Sequence, residues 1–341
     1  MIDARLGATP AKRGLHGYLK RSSVVPSRHL VDPELSALVD EEPSSPVDHG
    51  TLPQSRVVME ESIGVWFPAP PDGVEIGQRM IPGPPGAPDV RVMITRAKGR
   101  SNGGPALLHF HGGGYVMGSP EMGLATDAAY ALELGATVVS VDYRLAPETP
   151  HPGPVEDCYA ALTWLNAEAE ALGADRRRIV VTGESAGGGL AAALVLLARD
   201  RGEISIAFQH LVFPMLDDRT AVGPEPSPYL GQFVWTQENN LFGWTSLLGG
   251  PPGGEDVSPY AAAARAENVA GLPPTFIACG ALDLFLPENM DYARRLMLAG
   301  VPTELHIYPG APHGFYVIET AQTTRAYLRD SMSALKRAVG D

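Results

Sequence analysis

The sequence predicts an α/β fold built on an open, mostly parallel sheet. Three observations carry that expectation. From residue 106 onward, short apolar runs alternate with segments of helical period. Those runs are continuous rather than alternating in hydrophobicity, as in parallel strands covered on both faces. No internal repeat or low-complexity tract interrupts the pattern.

The elements follow in order. Residues 33–39 read as a helix, with Asp32 placed to cap it and Pro33 suited to its first turn. The rest of the first 54 residues is mixed. Segments 68–72 and 82–89 are rich in Pro and Gly and bracket two strands, 74–80 and 90–95. Strands are then expected at 106–110, 137–142, 179–182, 207–213, 275–278 and 303–308. Helices are expected at 121–134, 155–172, 186–199, 287–298 and 320–339. Segment 216–270 breaks the alternation and carries Tyr229, Phe233, Trp235, Phe242 and Trp244 among Pro and Gly. A loop of that length usually has a function, although its aromatics could equally fill a small satellite core. We assign residues 1–55 and 216–250 to a cap over the C-terminal edge of the sheet, and 56–215 and 251–341 to the core.

Composition narrows the function classes. A chain of 341 residues, 44% hydrophobic and 19% charged, can bury a full core. Its net charge of −13 argues against nucleic acid or an anionic membrane as the main partner. Its two cysteines, Cys158 and Cys279, fall in a helix and a buried strand and read as reduced core residues. Lys12, Arg13, Lys20 and Arg21 have no apolar run behind them, so a secretory signal is not expected. The longest apolar stretch, 190–198, is too short to span a bilayer. A cytoplasmic protein is the default expectation.

The chemistry concentrates at strand ends. Gly183-Glu184-Ser185-Ala186-Gly187 lies between a strand and a helix. Alone this pattern could be a chance Gly/Ser turn. In that context it describes a nucleophile elbow, whose glycines let strand and helix approach while the serine hydroxyl projects. A serine hydroxyl needs a base, and the base needs an orienting acid. Of nine histidines only His306 and His313 come late. His306 sits inside an alternating strand, whereas His313 lies in the loop beyond it and is the candidate base. Asp283 competes as the acid with Asp217 and Asp218, since all three follow C-terminal strand ends. Asp283 follows the later strand, nearer His313 in the chain, and is favoured by placement. Glu288 reads as a first-turn residue complementing a helix dipole.

His111-Gly112-Gly113-Gly114 directly follows another strand. Glycines there can turn N–H groups toward a reacting carbonyl, so Gly112 and Gly113 are candidate oxyanion donors, joined by Ala186. A phosphate loop is the alternative, but neither dinucleotide nor P-loop spacing is present. His109 and His111 could suggest a metal. No third ligand stands at convincing spacing, so structural roles are expected.

These residues together resemble the hormone-sensitive-lipase-like esterases, the bacterial family IV of the α/β-hydrolase fold. The resemblance runs from about Arg91 onward. It passes through the glycine loop, Asp142-Tyr143-Arg144-Leu145-Ala146-Pro147-Glu148, the elbow through Gly188, Val257-Ser258-Pro259-Tyr260-Ala261, Asp283-Leu284-Phe285 and His313-Gly314-Phe315. It implies an eight-stranded core with a cap, a Ser185–Asp283–His313 triad and an oxyanion hole at Gly112, Gly113 and Ala186. It also sets Asp283 above Asp217 and Asp218, which look like a stretch leading into the cap. Arg144 and Glu148 are expected to form a structural network beneath the site. Glu184 stands where Asp or Thr is commoner in the family.

The expected activity is hydrolysis of small esters with short to medium acyl chains, with no metal or organic cofactor. Tyr115, Phe233, Trp235 and Trp244 are the candidate pocket residues. An amidase or deacetylase could use the same triad. A ligand-binding protein on this scaffold is disfavoured because every triad position is filled, and no charge run or heptad supports a protein–protein scaffold. The resemblance admits a homodimer, though no interface is legible.

Overall fold

The alternation of apolar runs and helices becomes one eight-stranded sheet in the structure, a computed structural model that describes residues 27–40, 46–100, 102–224 and 227–340. Residues 1–26 and 41–45 of the assigned cap, with Lys12, Arg13, Lys20 and Arg21, lie outside these. The strands are β1 (Val74–Ile81), β2 (Val90–Ala97), β3 (Gly104–Phe110), β4 (Thr137–Asp142), β5 (Ala174–Glu184), β6 (Phe208–Val212), β7 (Thr275–Gly280) and β8 (Thr303–Tyr308). Their spatial order is β1-β2-β4-β3-β5-β6-β7-β8. β1 pairs with β2, and β2 with β4, antiparallel; every later pair is parallel.

Eight helices accompany them among the described residues: α1 (Ala37–Asp40), α2 (Leu52–Ser62), α3 (Leu124–Leu134), α4 (Gly153–Glu168), α5 (Ala186–Arg201), α6 (Gln237–Leu248), α7 (Leu286–Leu298) and α8 (Gln322–Val339). The strand period of two divides the core. Leu108, Val139, Val181, Leu211 and Ile277 face one side with residues of α4, α5 and α7. Leu107, Val138, Val180, Val212 and Phe276 face the other with residues of α3 and α8. Strands β6 and β7 are buried along their whole length, whereas the edge strand β1 is largely exposed. In α5 every residue from Ala186 to Ala198 is buried, so this helix packs centrally on all sides. No helix among the described residues is long and apolar enough to cross a membrane.

Several expectations need adjusting. The helix foreseen over 33–39 splits into a 3₁₀ turn (Pro33–Leu35) and α1, and the Asp32 carboxylate does accept from the Glu34 N–H. Helix α2 begins at the end of the stretch read as mixed and runs on through residues given no element, and α6 lies in the segment that broke the alternation. The described N-terminal residues occupy two places. Leu35 joins the core beside Phe315 and Tyr327, and the Asp32 N–H donates to the Gly310 carbonyl. Residues from Val47 onward instead meet α6. The Val47 N–H donates to Asn239 Oδ1 at 2.9 Å, and His49 meets Phe242 edge-on. Val47 and Leu52 pack with Val116, Met117 and Ala146.

Cys158 and Cys279 are buried free thiols, as expected. Arg144 and Glu148 belong to two separate ion pairs rather than one network. Arg144 clamps the buried Asp157, while Glu148 takes both terminal nitrogens of Arg56 at 2.7 Å. Arg56 also donates to the Val116 and Ala146 carbonyls, which pins α2 to the segment after the glycine loop.

The root of the insertion is held by charge. Asp218 is fully buried and takes two bonds from Arg265, at 2.7 and 2.9 Å, and one from the Gly253 N–H at 2.6 Å. Replacing Arg265 with Met strands that carboxylate away from water. The expected cost is about 3–5 kcal/mol, measured as a fall in the urea-unfolding free energy, with the same fold by circular dichroism.

Candidate active site

Strand β5 ends at Glu184 and α5 begins at Ala186, leaving Ser185 alone at the corner with φ +56° and ψ −120°. Such a backbone is strained for a residue with a Cβ and persists only where its surroundings impose it. The Ser185 N–H donates to the Val212 carbonyl at 2.9 Å. The Ser185 carbonyl accepts from Gly189 at 3.0 Å and Met215 at 2.9 Å. The flanking glycines are required by proximity. A Cβ on Gly187 would stand 2.0 Å from the Phe110 carbonyl oxygen, and one on Gly183 would stand 2.4 Å from that of Gly187.

His313 and Asp283 arrive on two loops joined to each other. The Ala281 N–H donates to the Tyr308 carbonyl and the Leu282 N–H to that of Ala311. Asp283 Oδ2 accepts from His313 Nδ1–H at 2.7 Å, and Asp283 Oδ1 from the Phe285 N–H at 2.9 Å. That bond fixes the tautomer, so His313 Nε2 is free to accept from Ser185 Oγ–H, 2.9 Å away. Phe213 and Phe285 pack edge-on against the imidazole, with centroids 4.7 and 5.2 Å distant. All three polar side chains are buried, Asp283 completely.

The competing acids are engaged elsewhere. Asp217 pairs with Arg219 and Asp218 with Arg265. His306 remains on β8, bonded to Glu304. Glu288 is not simply a dipole partner. It is buried and accepts from the Leu216 and Asp217 N–H groups and from the Thr220 hydroxyl. Burial raises its pKa well above the usual carboxylate range, against the lowering effect of these hydrogen bonds.

The glycine loop lies against the serine, the Gly112 Cα placed so that a Cβ would be 3.4 Å from that of Ser185. Its orientation follows from its carbonyls. Tyr143 OH donates to the His111 carbonyl, and His111 Nδ1–H to that of Gly112, both at 2.8 Å. A trans peptide points its N–H opposite its C=O, so the Gly112 and Gly113 N–H groups face away from these anchors. Neither donates to a protein acceptor among the described residues. Ala186, first in its helix, has no intrahelical acceptor. Burial lowers the His111 pKa to about 4, keeping the ring neutral where it stacks on Tyr143 at 4.3 Å. Tyr143 lies inside a quoted motif, but nothing in the sequence marked its hydroxyl as the anchor.

The four aromatic pocket candidates separate. Tyr115 and Trp244 are inaccessible to solvent and pack in the core, Tyr115 donating to the Met215 carbonyl at 2.9 Å. Phe233 and Trp235 are each 8% exposed. The Trp235 indole covers Gly114, which adopts φ +61° and where a Cβ would fall 2.1 Å from the ring. Between them Val234, 39% exposed, stands beside Gly314 next to the histidine, a position no sequence signal identified.

His109 is also structural. Its ring bridges Asp127 at 2.6 Å and Glu184 at 2.8 Å. Among the described residues no group of His, Cys, Asp and Glu is disposed to hold a metal ion.

A mostly parallel sheet with a strand–serine–helix corner and an Asp–His–Ser chain across it defines the α/β-hydrolase class. Comparison with known proteins agrees. The family model described as alpha/beta hydrolase fold matches residues 107–317. Esterase LipI of Mycobacterium tuberculosis is 35% identical over 304 residues, 87% of this chain and 86% of that protein. Carboxylic ester hydrolase LipN of the same species is 32% identical, covering 90% of this chain and 82% of its own. A solved bacterial heroin esterase is similar at a TM-score of 0.85 and 39% identity, over 92% of this chain and 99% of that one. The chain belongs to the α/β-hydrolase fold family, among the hormone-sensitive-lipase-like esterases of family IV.

Glu288 generates a pH prediction. Its folded pKa lies above the unfolded value, so the stability it contributes is full below the ordinary carboxylate range. That contribution is lost as pH climbs toward the raised value. Between about pH 5 and 9 the melting temperature of Glu288→Gln should therefore fall less than that of wild type, read by scanning calorimetry across the range.

Proposed function

We propose that the chain is a serine carboxylesterase working through an acyl-enzyme, with Ser185 as nucleophile, His313 as base and Asp283 as the orienting acid. The observation that carries this reading is the unbroken chain Ser185 Oγ–His313 Nε2–Asp283, at 2.9 and 2.7 Å, on a strained corner beside outward-facing glycine amides. His313 takes the serine proton as Oγ attacks the ester carbonyl. The resulting oxyanion rests on the Gly112, Gly113 and Ala186 N–H groups, and losing one such donor raises the barrier by about 3–4 kcal/mol. The protonated His313 then delivers its proton to the departing alcohol. Water repeats the sequence on the acyl-enzyme, and the acid product leaves.

The same reading takes residues 1–55 and 216–250 as a cap over this centre. The packing of Val47 and Leu52 near α6, and of Trp235 on Gly114, supports it. The close cover by Phe233, Val234 and Trp235 favours small esters with short to medium acyl chains. The names of the relatives, esterase and carboxylic ester hydrolase, point the same way.

A panel of p-nitrophenyl esters of increasing acyl length, beside the matching anilides, tests the activity. Wild type should turn over the shorter esters fastest and the anilides slowly, and Ser185→Ala should abolish turnover. Equal rates in the two proteins would end the enzyme reading, and a strong preference for anilides would make this an amidase.

The acid is tested separately. Asp283→Asn should lower kcat by about 10⁴-fold by favouring the wrong imidazole tautomer. Asp217→Asn, whose partner Arg219 is surface-exposed, should stay within about twofold. The opposite ranking in steady-state kinetics would reassign the acid.

A further inference from the structure

The elbow is clamped by backbone on its β6 side, through Val212 and Met215. Toward β3 there is a second restraint, made of charge. Strand β3 runs beside β5 with His109 opposite Thr182 and Phe110 opposite Gly183. The His109 ring reaches forward to Glu184, the residue immediately before Ser185, placing Nε2 at 3.0 and 2.8 Å from the two carboxylate oxygens. Its other nitrogen meets Asp127 Oδ1 of α3 at 2.6 Å. The second oxygen of Asp127 accepts from the Ser140 hydroxyl of β4. His109 and Asp127 are 2% and 0% exposed, and Glu184 is 6% exposed.

The fit around the ring is close. A Cβ on Gly123, at the start of α3, would stand 2.6 Å from His109 Cε1. Two carboxylates at this depth need a cation between them. Burial on its own would lower the imidazole pKa, but Glu184 and then Asp127 raise it well above the ordinary value. Both ring nitrogens thus face carboxylate oxygens, which favours the doubly protonated ring. The hydrogen bonds described for the Glu184 carboxylate run to His109 alone, so this contact is its anchorage.

We infer that His109, braced by Asp127, is a positioning residue for the reaction: it holds Glu184, and through it the strained Ser185 backbone, in the attacking geometry. The inference rests on the reading of Ser185 as nucleophile. Neither His109 nor Glu184 touches the reacting atoms. Their effect is on where Oγ sits relative to His313 Nε2 and the glycine amides. Misplacing a nucleophile by an ångström weakens the chemical step far more than it weakens substrate binding.

The test compares Glu184→Leu, which cuts the tether, with Glu184→Gln, which keeps the length and an acceptor oxygen. The probes are p-nitrophenyl acetate turnover and the rate at which diethyl p-nitrophenyl phosphate phosphorylates Ser185, both on full-length protein. Glu184→Leu should lose about 10- to 100-fold in kcat with KM within about twofold, and its phosphorylation rate should fall alongside. Glu184→Gln should recover most of both. Wild-type kcat and phosphorylation in Glu184→Leu, or a loss confined to KM, overturns the inference. Should Glu184→Leu fail to fold, Glu184→Ala, which removes the carboxylate without adding apolar bulk beside His109, is judged by the same criteria. Ser185→Ala separates the two readings. If it retains turnover, the nucleophile assignment falls; if it is inactive while Glu184→Leu behaves as wild type, only the positioning role falls.

Discussion

A residue with a side chain does not rest willingly at φ +56°, and Ser185 is kept there only because both neighbouring elements leave it no alternative. Strand β5 must finish and α5 must start within one residue, so the chain turns at its most crowded point. The glycines at 183 and 187 are there for space, since each lies where a Cβ would collide with a carbonyl of the adjoining backbone. Once that corner is fixed, much else is determined. The first N–H groups of α5 face outward from the sheet, the glycine loop after β3 is brought alongside, and the loops after β7 and β8 deliver their side chains from across the strands.

The loops themselves are oriented by groups that take no part in bond-making. The Tyr143 hydroxyl and the His111 imidazole each occupy one carbonyl of the glycine loop, and planarity of the peptide does the rest. This works because burial keeps His111 neutral, so one nitrogen donates to that carbonyl without a charge being placed beside the glycine amides. A few residues away, His109 has the opposite state because two carboxylates enclose it. The same side chain, once within β3 and once just beyond its end, is thus pushed in opposite directions by its surroundings alone.

The core and the principal site residues were legible in the sequence because both depend on local pattern. Continuous apolar runs such as 106–110 marked strands, and the elbow, the glycine loop and the His313 loop were each found at a strand end. What escaped depends on partners distant in the chain. Asp283 and Asp218 look alike in sequence; the structure separates them because one meets His313 and the other Arg265. Glu288 occupies a helix start where a surface carboxylate would be unremarkable, yet it faces inward onto the Leu216 and Asp217 amides. Composition named Tyr115 and Trp244 as aromatic but could not tell that both are enclosed, nor that a valine would stand beside Gly314 of the histidine loop. Helix α6 was hidden by the Pro and Gly around it, and the antiparallel pairing of β2 is a matter of topology that a run of apolar residues does not encode.

The backbone bonds between the segments at 281–282 and 308–311 have a mechanical consequence. They mount Asp283 and His313 on a single plate, while Ser185 and the glycine amides ride on another, formed by β3, β5 and α5. The distance from Ser185 Oγ to His313 Nε2 is therefore the gap between two hydrogen-bonded assemblies, not the sum of several independent loop positions. Across the β6–β7 seam the Phe213 N–H, donating to the Ala278 carbonyl at 2.6 Å, ties one plate to the other. Alignment within each plate is set by its own bonds, and the relation between the plates by the strand pairing across that seam.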